Sequence, residues 1–173
     1  AMCFTFLKAQ GADVGKSLGE ADWIDPCKAM LQKAKDRDTV LLLPVDVVCA
    51  TEIKSGAEVK VCNAYAIDNN LMGLDIGPKA IENYKLAISE AGSVFWNGPM
   101  GVFEIDEFAQ GTKAVAEALA SNIDAKTIIG GGDSVAAVNK FNLADKMTFI
   151  STGGGASMEL VQGDILPGVA ALG

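Results

Sequence analysis

Histidine is missing altogether from the sequence, and that absence closes off a good deal of chemistry. Ser-His and Cys-His nucleophilic catalysis are excluded within this chain, so general-base work would fall to carboxylates or lysines. A reaction that needs no base fits best. The four cysteines, Cys3, Cys27, Cys49 and Cys62, form no CxxC pair. Without histidine this argues against a zinc site and for buried free thiols in a reducing compartment. No run approaches the roughly 18 apolar residues of a membrane span, and no basic stretch followed by an apolar block opens the chain, so a cytoplasmic protein is expected. Basic residues are also scarce. The net charge of -8 and a pI near 4.5 argue against nucleic-acid and anionic-membrane partners, which would gain no counterion release from this surface. Any bound phosphate must therefore be held locally, by backbone and a few lysines.

What remains is ordinary globular composition, 50% hydrophobic and 21% charged, and 173 residues suit one domain with a substantial core. Residues 2–10 read as a short buried helix stopped at Gly11. Asp25-Pro26 reads as an N-cap and first helical position, with Cys27, Met30, Leu31 and Ala34 on one face and an end near Asp36. The apolar run 39–43 reads as a buried strand closed by Pro44, with 45–50 either extending it or starting a second strand. A weak strand follows at 59–63, and then a loop over 65–77. From Pro78 to Gly92 the pattern is a helix with proline start and glycine stop. Strands are expected at 94–96, 127–129 and 147–150, each followed by a helix: about 111–120, 134–140 and 156–161. Trp23, Phe4, Phe6 and Phe141 read as core aromatics. Alternation with short connections predicts an α/β fold: a parallel sheet with helices on both faces, a Rossmann-like three-layer α/β/α arrangement. Its ligand edge lies at the carboxyl ends of the strands.

Three glycine-rich junctions stand at those ends. Gly130-Gly131-Gly132-Asp133 could be a plain turn with Asp133 as N-cap. Yet three consecutive glycines leave no Cβ between backbone amides and a ligand, and the following helix adds the positive end of its dipole. Asp133 would repel phosphates unless a metal lay between them, which points to Mg²⁺. Ser151-Thr152-Gly153-Gly154-Gly155 repeats the design. Neither stretch is a Walker A loop, and no GxGxxG opens a helix with an acidic residue about 20 positions on. The third stretch, WNGPMGVFE at 96–104, reads either as a rigid turn with Val102 and Phe103 in the core or as a ligand wall. In the second reading Gly101 and Val102 face a base and Glu104 accepts from ribose hydroxyls. Gly73-Leu74, in MGLDIGP, could form the opposing wall or simply deliver a helix start.

WNGPMGVFE, IIGGGDS and STGGGASMEL, in this order and spacing, resemble the carboxyl-terminal, nucleotide-binding domain of the phosphoglycerate kinase family. TFLKAQG, LLLPVDVV, MGLDIGPK and LPGVAAL are similar to it as well, so the likeness covers essentially the whole chain. The resemblance implies glycolytic phosphoryl transfer between 1,3-bisphosphoglycerate and ADP, giving 3-phosphoglycerate and ATP, with Mg²⁺, in a hinge-closing cytoplasmic enzyme that is usually monomeric. Carried over by motif, Gly73, Leu74, Gly101 and Val102 line the adenine site and Glu104 takes the ribose. Asn97 and Pro99 border the phosphate path. Gly131, Gly132, Asp133 and Ser134 meet the nucleotide phosphates, with Asp133 toward the metal, and Gly153, Gly154 and Gly155 face the transferring phosphoryl group. Gly131, Gly132, Gly154 and Gly155 are thereby the candidate catalytic positions.

The resemblance also sets expectations about what is not here. The family's amino-terminal domain, which binds the phosphoglycerate, has no counterpart, nor do the first strands of the nucleotide domain with their GGAK-type lysine. Residues 1–173 are expected to form a single nucleotide-binding domain that turns nothing over by itself and leaves apolar surface uncovered. Asn69-Asn70-Leu71 departs from the family's glycine and aromatic residue at that point. Two other readings compete: a nucleotide-binding module without activity of its own, and a dinucleotide-dependent oxidoreductase domain, which lacks its fingerprint and partner acid.

Overall fold

Strand ends and helix starts dominate the architecture. The computed structural model describes residues 2–171, which fall into two compact units: Ala1–Leu86 with Met100–Thr112, and Ala87–Pro99 with Lys113–Gly173. Leu172, the last residue of LPGVAAL, lies outside the described residues. The fold is α/β as expected, mixed sheets flanked by helices.

The first unit begins with α1 (Met2–Ala9), then β1 (Asp13–Val14), α2 (Ile24–Asp36), β2 (Asp46–Ala50), β3 (Lys60–Asn63), β4 (Ala66–Ile67) and β5 (Met72–Ile76). Parallel pairing is confined here to β1 with β4; β2 runs antiparallel to both β3 and β5. Phe4 and Leu7 of α1 pack with Val47, Cys49, Cys62 and Ile67 in its main core. Several sequence expectations are corrected. Residues 39–43 form no strand, and Val40, Leu41 and Leu42 are exposed, since no neighbouring strand offers the run a ladder. The expected loop over 65–77 contains β4 and β5, because pairing with β1 and β2 outweighs the poor strand propensity of Gly73 and Asp75. Helix α2 starts ahead of Asp25 and buries only Cys27 of the predicted stripe, while Trp23 is 53% exposed. Phe4 and Phe6 are buried as read, and Phe141 is half-buried. Cys27, Cys49 and Cys62 are buried free thiols, Cys3 a half-buried one.

Helix α3 (Pro78–Ser89) follows β5. Its first turn is satisfied from a distance: the buried carboxylate of Asp46, on β2, accepts the N–H of Lys79 at 3.1 Å and of Ala80 at 2.8 Å. A charged acceptor at a helix start answers both the orphan donors and the dipole.

The second unit carries β6 (Ser93–Asn97), most of α4 (Gln110–Ser121), β7 (Lys126–Gly130), α5 (Gly132–Lys140), β8 (Phe149–Ser151), α6 (Gly154–Gln162) and a short α7 (Pro167–Ala170). Its sheet, β6-β7-β8, is wholly parallel. Thr127 and Ile129 of β7 are fully buried and Ile128 is half-buried, as expected of a central strand in a covered parallel sheet. The register sets Asn97 beside Gly130 and Gly130 beside Ser151, so all three strands finish level.

Asp46→Ala should destabilise the first unit by about 1–3 kcal/mol, since it strands two helix N–H donors in a buried setting. Urea denaturation reads this directly; an unshifted midpoint would remove Asp46 from the role.

Candidate functional site

The level ends of β6, β7 and β8 bring the two triple-glycine junctions and the start of the third, residues 97–99, together within the second unit. Gly131 is the hinge among them. Its φ of 90° lies in the region that side-chain-bearing residues avoid, its N–H donates to the Ser151 carbonyl at 3.1 Å, and its carbonyl takes the first helical bond of α5 from Val135. A Cβ on Gly131 would lie 2.7 Å from Asn97 Oδ1, and one on Gly154 would lie 2.7 Å from the Gly131 Cα. These two glycines are thus required by the approach of the junctions to each other. Gly132 and Gly155 differ: a Cβ at either position would meet nothing within 4 Å, and both residues are exposed. Their bare faces are open to a ligand.

Both helices begin at this edge. By helix geometry the first-turn N–H groups, at Gly132 and Asp133 in α5 and at Gly154, Gly155 and Ala156 in α6, lack intrahelical acceptors and carry the positive end of the dipole. Adjacent helix N-termini on adjacent strands make an anion-facing surface in a chain of negative net charge. Asp133 is exposed in the first turn of α5, and its carboxylate makes no hydrogen bond or ion pair among the described residues. No group of three or more acidic, cysteine or histidine side chains gathers around it among those residues. One carboxylate still suits Mg²⁺, which keeps its waters and takes its other oxygens from substrate phosphates.

Ser134 is placed differently from the sequence reading. It is fully buried, and its Oγ accepts the Gly98 N–H at 2.7 Å. Turned inward, the hydroxyl holds the loop after β6 against α5. Asn97 is exposed and Pro99 half-buried beside it.

The other predicted residues lie in the first unit. Gly73 and Leu74 occupy opposite faces of β5. The space a Gly73 side chain would need is filled by the Phe4 ring, so α1 packing requires a glycine here. Leu74 enters a cluster with Ala50 and Phe108, against which Val102 and Ile105 pack. A backbone hydrogen bond also joins the two segments: the Val102 N–H donates to the Leu74 carbonyl at 2.9 Å. Thr112 Oγ1 accepts from both Met100 and Gly101, at 3.1 and 3.2 Å. Glu104 follows in a turn, exposed and without a protein partner among the described residues, as a ribose acceptor would be.

Sequence reasoning missed Asp75. The signal was an acidic residue between Leu74 and Ile76, flanked by apolar side chains on both sides. It is 3% exposed, and its carboxylate accepts the Ile76 N–H at 2.8 Å and the Gly111 N–H at 2.7 Å. Burial pushes its pKa up to about 6 even though both N–H donors pull it down.

Comparison with known proteins agrees with the glycine motifs. The model of the family described as phosphoglycerate kinase matches residues 1–164. Among curated relatives, the chain is 54% identical to a phosphoglycerate kinase of Synechococcus, covering 99% of this chain and 42% of that one. It is 56% identical to phosphoglycerate kinase 3, cytosolic, of Arabidopsis thaliana, covering 99% and 43%. Among solved structures, phosphoglycerate kinase from Coxiella burnetii superposes with a TM-score of 0.91 at 45% identity, over 94% of this chain and 42% of that one. The enzyme from Pyrococcus horikoshii gives 0.83 at 30% identity, over 98% and 42%. The chain thus spans less than half the length of the relatives it matches, and within that span it belongs to the phosphoglycerate kinase family.

Proposed function

We propose that this chain is the nucleotide-binding part, residues 1–173 as one functional domain, of a phosphoglycerate kinase that moves a phosphoryl group between 1,3-bisphosphoglycerate and ADP. The observation that carries the reading is the pair of helix N-termini, α5 and α6, side by side at the level ends of parallel strands. Gly131 and Gly132 with Asp133 meet the nucleotide phosphates, and Gly153, Gly154 and Gly155 face the group in transfer. Asn97 and Pro99 border the phosphate path. In the first unit Gly101, Val102 and the Leu74 edge of β5 take the adenine, and Glu104 takes the ribose hydroxyls.

The carboxylate of 3-phosphoglycerate is ionised at neutral pH, so no proton need be removed before transfer. A chain without histidine therefore suffices. What the residues supply is position and fixed partial positive charge: N–H groups and dipoles already oriented toward oxygens that gain charge in the transition state. Asp133 would hold Mg²⁺, whose charge offsets that of the phosphates. The 3-phosphoglycerate site belongs to the amino-terminal domain of the family's longer chains, so the 173-residue chain by itself binds nucleotide without turnover. No helix among the described residues is long and apolar enough to cross a membrane, and the working compartment we infer is the cytoplasm.

Two outcomes test this. The isolated chain mixed with MgATP and 3-phosphoglycerate should produce no ADP in a coupled assay, and steady turnover would contradict the division of labour. In calorimetric titration MgADP should bind weakly, and Asp133→Ala and Glu104→Ala should each weaken it by about tenfold, roughly 1.4 kcal/mol. NADH binding without an ADP response would favour a dinucleotide enzyme instead.

A further inference from the structure

The adenine wall at Gly101-Val102 is a loop, and a loop gives a precise surface only where something holds it. Two side chains in the first unit do so. Thr112 Oγ1 accepts the N–H groups of Met100 and Gly101, as described above. Asp75 lies on the inner side of the same loop. A Cβ on Gly101 would come within 2.5 Å of Asp75 Oδ1 and 2.6 Å of the Leu74 carbonyl, so the loop backbone rests directly on this carboxylate. Oδ2 accepts from Gly111, and Oδ1 from Ile76. One buried acid thus ties β5, the 100–102 loop and the start of α4 into a single unit. The groups facing it are the two N–H donors, the Leu74 carbonyl and the Gly101 backbone; burial and those two donors alone govern its ionisation.

We propose that Asp75 is a positioning residue for adenine recognition, its ionised carboxylate fixing Gly101-Val102 at the spacing from Leu74 that the base requires. The inference rests on the nucleotide reading above, in which the adenine lies against Val102. Asp75 touches no ligand itself. Ionised, it accepts from both N–H groups with its full charge; once protonated it loses that charge and both hydrogen bonds weaken.

Ionisation then has opposite consequences for binding and for folding. Burial pushes the folded pKa up to about 6, above the ordinary aspartate value of 3.8, so the folded chain holds this proton more tightly than the unfolded chain. Between those values the contribution of Asp75 to stability falls as pH rises. Adenine affinity should rise over the same window.

The experiment uses adenosine as probe, since it carries no phosphate, with tripolyphosphate as control for the second unit. In equilibrium dialysis of the 173-residue chain, Asp75→Asn should weaken adenosine by about tenfold at neutral pH and leave tripolyphosphate unchanged, while the urea midpoint is no lower than the parent's. The parent should lose adenosine affinity between about pH 7.5 and pH 5, approaching the variant, whose affinity stays flat. The pH series needs no substitution and stands even if the variant fails to fold. Equal adenosine binding by variant and parent, a flat parent profile, or loss of affinity in step with loss of stability would overturn the role. If Glu104→Ala weakens adenosine and Asp75→Asn does not, the nucleotide reading survives and this inference fails. If the parent ignores adenosine, both fall.

Discussion

The candidate site depends on one close approach: the Gly131 backbone against Gly154 on one side and Asn97 Oδ1 on the other. Three parallel strands can end level only if the chain emerging from each leaves room for its neighbours. A methyl group at Gly131 or Gly154 would stand in that room. Once the approach is made, everything else at this edge follows from it. α5 and α6 start on adjacent strands, their unpaired N–H groups share one edge, and Ser134 can reach the Gly98 N–H to hold the loop after β6. The positive electrostatic character of this edge comes from oriented backbone N–H groups and helix dipoles without charged side chains, in a chain of net charge -8.

The first unit solves a related problem by different means. Among the described residues its antiparallel strands share no edge of helix N-termini, and the half-buried Val102 is carried on a loop. Side-chain acceptors do the organising: Asp75 and Thr112 under the loop, Asp46 under α3. Each is buried, and each answers backbone donors that would otherwise go unpaired. In both units the groups that shape the surface lie beneath it.

Much of the second unit was legible from sequence, because its signals are local. β-branched runs that break into glycine and then alanine-rich helix announce β7-α5, and the motif order announces the neighbours. The first unit was read less well. The 39–43 run looks like a strand in isolation, but strands exist only where a partner pairs with them, and none does here. Conversely Met72–Ile76 looks like loop and pairs with β2. Exposure could be anticipated from sequence at Glu104 and Asp133, which stand in a turn and in the first turn of a helix. The packing of Gly73 against the Phe4 ring and of Ser134 against the Gly98 loop left no mark in the sequence, because both contacts are made to residues distant in the chain. Asp75 carried a signal, an acid within an apolar strand, whose meaning depends on residues 25 to 36 positions further along.

The four glycines at the ends of β7 and β8 divide by what surrounds them, and this gives the family a diagnostic. Gly131 and Gly154 answer to the fold, Gly132 and Gly155 to whatever approaches from outside. In a duplicated copy released from catalytic selection, the two pairs would drift separately. Side chains would accumulate first at the open positions, while the packed pair persisted as long as the protein still folded. A chain that keeps the packed pair and carries side chains at the open positions can therefore keep this fold while covering the N–H groups at the edge.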